Sequence, residues 1–329
     1  MKYKALVSEL SGQEVRTTLQ EKTLPSLSEN EVLIKTHYSS LNYKDALGIT
    51  GHGPIFKSFP MVGGIDVSGI ISDSKAKNFK AGDRVLVTGC GLGENYAGGF
   101  AQFVKVSSEN VIALPAALSL EEAMIYGTAG FTAALCLNRL LTNNQTYDMG
   151  PIVVTGASGG VGSFAVNFLS RSGFKVIAVS GKPELKNYLL NLGAHEVFSP
   201  EQLGLGPKPL ERIKFGGAID NVGGETLAKI LAHTQLWGNI ACVGLVESHE
   251  LKTTVMPFIL RGVSLLGISS NNCPYSLRRQ LWQDLAGRLK PPKLAKFKTE
   301  QIGLEQLVST AHLMLARKTH GRVVVKCEN

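Results

Sequence analysis

The chain has 329 residues, 44% of them hydrophobic and 18% charged, with 36 glycines and a net charge of +8. At about 150 residues per domain this length predicts two domains, each with its own core. Glycine at about 11%, against an ordinary ~7%, together with the low charge, points to a turn-rich globular protein, and the 44% hydrophobic content with no long polar tract excludes intrinsic disorder. No run of about 18 apolar residues occurs, and Ala5-Leu6-Val7 after Met1-Lys2-Tyr3-Lys4 is too short for a signal-peptide core, so a soluble, cytoplasmic protein with no membrane partner is expected. The five cysteines, Cys90, Cys136, Cys242, Cys273 and Cys327, are odd in number and far apart, with no C-x-x-C pair. They read as small core residues rather than as a disulfide framework or a thiolate zinc cluster.

Up to about residue 115 the chain alternates, as in Val15-Thr17-Leu19 and Val32-Ile34-Thr36, and is broken by turn pairs such as Gly82-Asp83 and Gly98-Gly99. This half is predicted to be mostly β. After Pro115 a helix through Leu120 to Ala123 is expected, followed by Gly127-Thr128-Ala129-Gly130-Phe131-Thr132. Six apolar runs follow at 152–155, 176–179, 196–198, 218–221, 240–243 and 265–268, which is the strand count of a doubly wound sheet. Val161, Ala165, Phe168 and Leu169 lie at helical spacing between the first two runs. Leu185, Tyr188, Leu189 and Leu192 do so between the next two, closed by Gly193 as a C-cap. Strand-helix-strand units of this length predict a parallel sheet covered on both faces, and so an α/β fold.

Residues 278–298 hold seven basic side chains against Asp284 alone, which leaves the rest of the chain nearly balanced. Leu277, Leu281, Leu285 and Leu289 recur every four residues there, predicting a packed helix that ends before Pro291-Pro292 and turns a basic side to water. That side reads as an ordinary solvated face, as a patch for a polyanionic small molecule, or as a nucleic-acid surface, in descending order of preference. The last run, Arg322 to Lys326, alternates like the N-terminal half and is expected to return to it.

The first of the six strands runs directly into Thr155-Gly156-Ala157-Ser158-Gly159-Gly160-Val161-Gly162 and then the amphipathic helix. Strand, glycine turn, helix and second strand in that order form a dinucleotide site: a backbone without Cβ approaches a pyrophosphate, whose charge meets the helix N-terminus. Ser158, Gly159, Gly160 and Val161 are the phosphate-binding candidates. The second strand ends at Ser180-Gly181-Lys182, where an acidic residue would hold the ribose of NAD. Ser180, Gly181 and Lys182 favour a 2′-phosphate and therefore NADPH, although Glu184 stands nearby. For the nicotinamide half, the later strand ends supply Leu245 and Ser270, with Ile259 as a further contact.

Leu41 to Leu47 (Leu-Asn-Tyr-Lys-Asp-Ala-Leu), Gly63-Gly64-Ile65-Asp66, Ala81-Gly82-Asp83-Arg84-Val85, Gly127 to Thr132 and Thr254 to Arg261 together resemble the medium-chain dehydrogenase/reductase superfamily over essentially the whole chain. The resemblance is to its zinc-free quinone-oxidoreductase-like branch, and within it to the acrylyl-CoA reductase (NADPH) group. It implies a GroES-like β-rich catalytic domain over 1–122 and 300–329, a Rossmann NADPH-binding domain with a six-stranded sheet over 123–299, and a homodimer. Zinc-dependent members place a ligating Cys where this chain has Asn42, and Gly-His-Glu where it has Gly64-Ile65-Asp66. Three protein ligands for a catalytic zinc are not available in that pattern, so no metal is expected.

Without a Lewis acid, the resemblance implies hydride transfer from NADPH to an electron-poor C=C bond, as in reduction of acrylyl-CoA to propanoyl-CoA. The protein's part is alignment and oxyanion stabilisation. Tyr43 is the expected contact to nicotinamide or ribose and a candidate proton donor. Thr128 is a further cofactor contact, Asn42 a hydrogen-bond donor to substrate, and Asp45 a cap or loop anchor. Relatives carry a basic residue near the third strand, where this chain has His195-Glu196, so His195 is left as the second grip on the 2′-phosphate. The small-molecule partner is an enoyl-CoA or, alternatively, a quinone or enone. A non-catalytic nucleotide- and RNA-binding protein is the alternative from another class.

Overall fold

A computed structural model describes residues 1–328; Asn329, the last residue of the expected catalytic domain, lies outside the described residues. In chain order the elements begin with β1 (Lys2–Ser11), β2 (Glu14–Thr23), β3 (Glu31–Leu41), α1 (Tyr43–Ile49), β4 (Met61–Val62), β5 (Asp66–Ser74), β6 (Arg84–Thr88), β7 (Phe103–Ser107), β8 (Ile112–Ala113) and α2 (Leu120–Thr142). There follow β9 (Ile152–Val154), α3 (Gly160–Arg171), β10 (Val176–Val179), α4 (Lys186–Leu192), β11 (Glu196–Phe198), β12 (Phe215–Asp220), α5 (Gly224–His233), β13 (Thr234–Cys242), α6 (Met256–Arg261) and β14 (Ser264–Gly267). The chain closes with α7 (Tyr275–Ala286), β15 (Lys298–Ile302), α8 (Leu307–Leu315) and β16 (Arg322–Lys326). Two compact units emerge: Met1–Thr128 with Asn271–Asn329, and Ala129–Ser270.

The first unit is mostly β. Its larger sheet runs β15-β16-β3-β5-β6-β8, with β7 also on β3, and a smaller one runs β2-β1-β4. The alternation in β3 holds only in part: Val32, Ile34 and Thr36 are fully buried, Val32 and Ile34 packing with Val67, Val85 and Val104, and Lys35 faces water, but Leu33 on the other face is buried as well. The terminal run does return to this sheet, β16 pairing antiparallel with β3 so that Val323 stands opposite Leu41. That register delivers Arg322 to the end of β3, where α1 begins.

The second unit holds the expected parallel sheet, in the order β11-β10-β9-β12-β13-β14. β9 and β10 are buried along their whole length, as a sheet covered on both faces requires. On α3, Phe164, Ala165, Phe168 and Leu169 are fully buried, and each phenylalanine withdrawn from water contributes about 1.5–3 kcal/mol. Gly193 ends α4 in the left-handed conformation (φ 110°), as its position after the leucine pattern predicts.

The basic stretch departs from expectation. α7 stops at Gly287, before Leu289, and Arg278 points inward instead of facing water: it is buried, donating to Thr88 O (2.6 Å), Thr88 Oγ1 (3.2 Å) and Asn271 O (3.2 Å). Arg288 pairs with Asp284, Lys290 with Glu122 and Lys298 with Glu121. Four of the seven cations are thus committed within the first unit.

Gly162 shows how tightly the glycine turn meets α3, since a Cβ there would lie 2.3 Å from Gly156 O and 2.6 Å from Ala157 Cα. A Cβ on Gly267, at the end of β14, meets nothing within 4 Å. Gly162→Ala is therefore expected to cost about 2–4 kcal/mol in urea unfolding, and Gly267→Ala to stay within about 0.5 kcal/mol.

Candidate active site

In the first unit the site is built where β3 ends. Asn42, extended at φ −112° and ψ 160°, is the N-cap of α1, and Asp45 is its third helical residue. Asp45 Oδ2 accepts from Asn42 N (3.0 Å) and Nδ2 (3.1 Å), and its Oδ1 accepts from Ile65 N (2.9 Å). The expected capping role of Asp45 is thus visible as a set of bonds. Asn42 Nδ2 also donates to Asp66 Oδ2 at 2.8 Å.

Asp66 is fully buried and satisfied by its neighbours. Ser40 Oγ (2.5 Å) and Thr128 N (2.9 Å) also donate to Oδ2, and Thr128 Oγ1 (2.6 Å) donates to Oδ1. Arg322 Nη2 stands 3.9 Å from Asp66 Oδ2 and donates to Ser40 Oγ (2.8 Å); Nη1 donates to Asn42 Oδ1 (3.2 Å) and Nε to Ile125 O (3.1 Å). α2 breaks to admit this cluster: Gly127 takes φ 49° and ψ −156°, and a Cβ on it would fall 2.5 Å from both Asp66 Oδ2 and Ser40 Oγ. Asn42, Asp45 and Thr128 are therefore brought together, while Tyr43 stays outside the cluster, 39% exposed.

The donor set does not fit a zinc ion. Both Asp66 oxygens already receive protein donors, the Asn42 amide nitrogen is spent on two carboxylates, a guanidinium occupies the neighbouring space, and Ile65 has no ligating atom. Catalytic zinc needs three lone-pair ligands and an open position.

The cluster holds two buried carboxylates against one buried guanidinium. Burial, reinforced by the nearby Asp66 charge, pushes Asp45 up to about 7 against the stabilising bonds from Asn42 and Ile65. Burial likewise draws Arg322 below the ordinary guanidinium value, while Asp66 and Asp45 hold it up.

In the second unit the glycine turn opens at Gly156 (φ 56°) and leads through Ser158 to Gly159, the N-cap of α3, with Gly160 and Val161 in its first turn. Those first N–H groups have no partner within the helix and suit an anion. Ser158 Oγ lies 3.0 Å from Ser180 Oγ, which in turn accepts from Lys182 N at 3.2 Å, so the two expected phosphate segments share one hydrogen-bonded corner. A Cβ on Gly181 would meet open space. Lys182 is partly buried, and that burial lowers its pKa, with Glu184 opposing.

Asn221, which sequence reasoning passed over, donates through Nδ2 to Thr155 O (2.7 Å), and its buried Oδ1 has no partner among the described residues. A Cβ on Gly156 would touch its side chain at 3.3 Å, so this orphan acceptor adjoins the glycine turn and the residues fit a dinucleotide. Leu245, 61% exposed, follows Gly244 beside Asn221. Ile259 projects from α6, 72% exposed, and Ser270 is half-buried at the end of the unit. His195, also exposed, bonds through its backbone to Val176 O.

Residues 28–116 match the family described as alcohol dehydrogenase GroES-like domain, and 160–287 match zinc-binding dehydrogenase. An Escherichia coli protein with the provisional name acrylyl-CoA reductase AcuI is 44% identical over 309 residues, 94% of each chain. The Bacillus subtilis protein YhfP, provisionally named a quinone oxidoreductase, is 40% identical over 98% of each chain; its crystal structure, with NAD bound, superimposes at a TM-score of 0.95 over 99% of each. The Salmonella enterica yhdH oxidoreductase, crystallised with NADP, is 42% identical over the full length of both chains at a TM-score of 0.95. The chain belongs to the medium-chain dehydrogenase/reductase superfamily.

As a member of that superfamily it has the expected β-rich unit and six-stranded parallel sheet. Sequence reasoning missed Ser40, Asp66 and Arg322 as parts of its site. The signal available was Asp66 standing where zinc-dependent members have a ligand.

Asp45 holds its proton more tightly folded than unfolded, so its contribution to stability is full below about pH 4 and is lost as pH rises from there to about 7. The difference in melting temperature between wild type and Asp45→Asn should therefore move against the wild type across that window and become constant above about pH 8. A difference independent of pH would show that Asp45 is ionised throughout.

Proposed function

We propose that this protein is an NADPH-dependent reductase of the C=C bond of a short 2-enoyl-CoA such as acrylyl-CoA, working without a metal. The observation that carries this reading is the cluster of Asn42, Asp66 and Arg322, which fills the place of a catalytic metal with protein hydrogen bonds; reduction of an activated alkene needs no Lewis acid, whereas binding an alkoxide does. The 44% identity to the protein named for acrylyl-CoA reduction supports a CoA thioester as acceptor. The YhfP name favours the second reading, an NADPH:quinone or enone oxidoreductase.

Bound NADPH supplies a hydride. Gly159, Gly160 and Val161 at the start of α3 receive the pyrophosphate with Ser158, while Ser180, Gly181 and Lys182 receive the 2′-phosphate. Leu245, Ser270, Ile259 and Thr128 serve the nicotinamide half. Tyr43 contacts the cofactor and offers its hydroxyl as proton donor, and Asp45 anchors the turn that carries it; Asn42, expected as a hydrogen-bond donor to the substrate, has its amide engaged by Asp45, Asp66 and Arg322 and holds that turn in place. We also read the protein as a homodimer. β14 ends its sheet with no strand on its far side among the described residues, next to exposed Trp237, which packs on Gly262.

NADPH oxidation by the purified protein should saturate with acrylyl-CoA and be faster than with quinones or simple enones; turnover with quinones alone would select the second reading. Lys182→Ala should weaken NADPH about 10- to 150-fold by loss of one charge-assisted bond and leave NADH nearly unchanged in a fluorescence titration. Equal losses for both would remove Lys182 from 2′-phosphate recognition.

A further inference from the structure

The first turn of α1 is gripped on three sides. Asn42 is tied into the Asp66–Arg322 cluster, and Asp45 holds Ile65 N. Between them Lys44 Nζ reaches Glu94 Oε1 at 2.7 Å, with the Glu94 side chain only 12% exposed. Tyr43 is left as the one side chain of this turn with no hydrogen-bond partner among the described residues.

Glu94 belongs to a segment that cannot shift easily. Gly89, Gly98, Gly99 and Phe100 donate backbone N–H groups to Ile65, Val62, Gly64 and Gly63, and Glu94 O accepts from Lys57 N. A Cβ on Gly93 would fall 2.8–2.9 Å from the Gly64 backbone, so the two segments meet backbone to backbone. Lys44 and Asp45 therefore fasten successive residues of α1 to a single platform, one through a partly exposed ion pair with a buried carboxylate and the other through Ile65. A seven-residue helix is marginal by itself, and its orientation has to come from such anchors.

We propose that the Lys44–Glu94 ion pair is a positioning device that fixes the direction in which Tyr43 projects during the reaction. Lys44, which beside Tyr43 would otherwise read as a cation for the substrate's phosphates, is spent on Glu94. The inference rests on the role proposed for Tyr43 and deepens it. A misplacement of about 1 Å in a reacting group costs up to about 100-fold in rate, so loosening one anchor should act on turnover more than on binding.

The test is a double-mutant cycle on the full-length protein with NADPH and whichever acceptor the wild type reduces. Glu94→Gln should lower kcat about 10- to 100-fold, with KM and the NADPH dissociation constant changing less than about twofold. Combined with Tyr43→Phe it should cost little more than Tyr43→Phe alone, because both act through one hydroxyl. The charge-reversed pair, Lys44→Glu with Glu94→Lys, should recover most of the rate lost in Lys44→Glu alone. Additive losses in the cycle, an unchanged kcat in Glu94→Gln, or losses that follow NADPH affinity would overturn the positioning role while leaving the proposed function standing. Failure of the wild type to reduce any acceptor would instead overturn the proposed function and the inference with it.

Discussion

A fully buried carboxylate, Asp66, organises the first unit. Burying such a charge costs several kcal/mol unless donors replace the lost water, and here Ser40, Asn42 and Thr128 all donate to it while Arg322 stands alongside. Those donors come from the end of β3, the cap of α1, the break in α2 and the first residue of β16, so satisfying one side chain fixes how four segments converge. The break in α2 follows from the same requirement. Gly127 is needed both for its backbone, at φ 49° and ψ −156°, and because a Cβ would occupy the space of the Asp66 and Ser40 oxygens. Gly99 has a similar reason, since a Cβ there would lie 2.1 Å from Asp66 O.

The two units treat charge in opposite ways. In the first, carboxylates and guanidinium satisfy one another and leave little for a ligand. In the second, donors are grouped at one turn: the opening N–H groups of α3 and the hydrogen-bonded Ser158–Ser180 corner next to Lys182. Donors grouped at a turn whose glycines admit a close approach suit a phosphorylated ligand. That asymmetry supports the proposal that the second unit receives the phosphates of the cofactor.

Much of the second unit was legible in the sequence because its information is local. Apolar runs of three or four residues, helical spacing on α3 and α4, and glycines at fixed positions are each set within a few residues of chain. The strands at 176–179 and 196–198 and the cap at Gly193 accordingly emerge as expected. The first-unit cluster was not legible in that way. Arg322 meets Asn42 only because β16 pairs with β3 in a particular register, and no periodicity in either segment encodes that register. Arg278 misled for a related reason: a leucine repeat reports which side of a helix is apolar, not whether a long cation beside it finds carbonyls such as Thr88 O to bury against.

The replacement of metal ligands by this cluster also changes what the site can offer. A zinc centre presents an open coordination position, so the metal itself selects an oxygen ligand. Here the Asp66 oxygens and the Asn42 amide are already engaged inside the protein, and the cluster provides a fixed shape and field rather than a vacant bond. Recognition must then fall to groups the cluster holds in place but does not consume. Tyr43, carried on the turn that Asn42, Lys44 and Asp45 fasten and left partly exposed, is the group that meets that description. If the proposed function holds, the rigidity of its surroundings bears on specificity as well as on rate, because the direction in which Tyr43 projects then limits how an acceptor can lie against the cofactor.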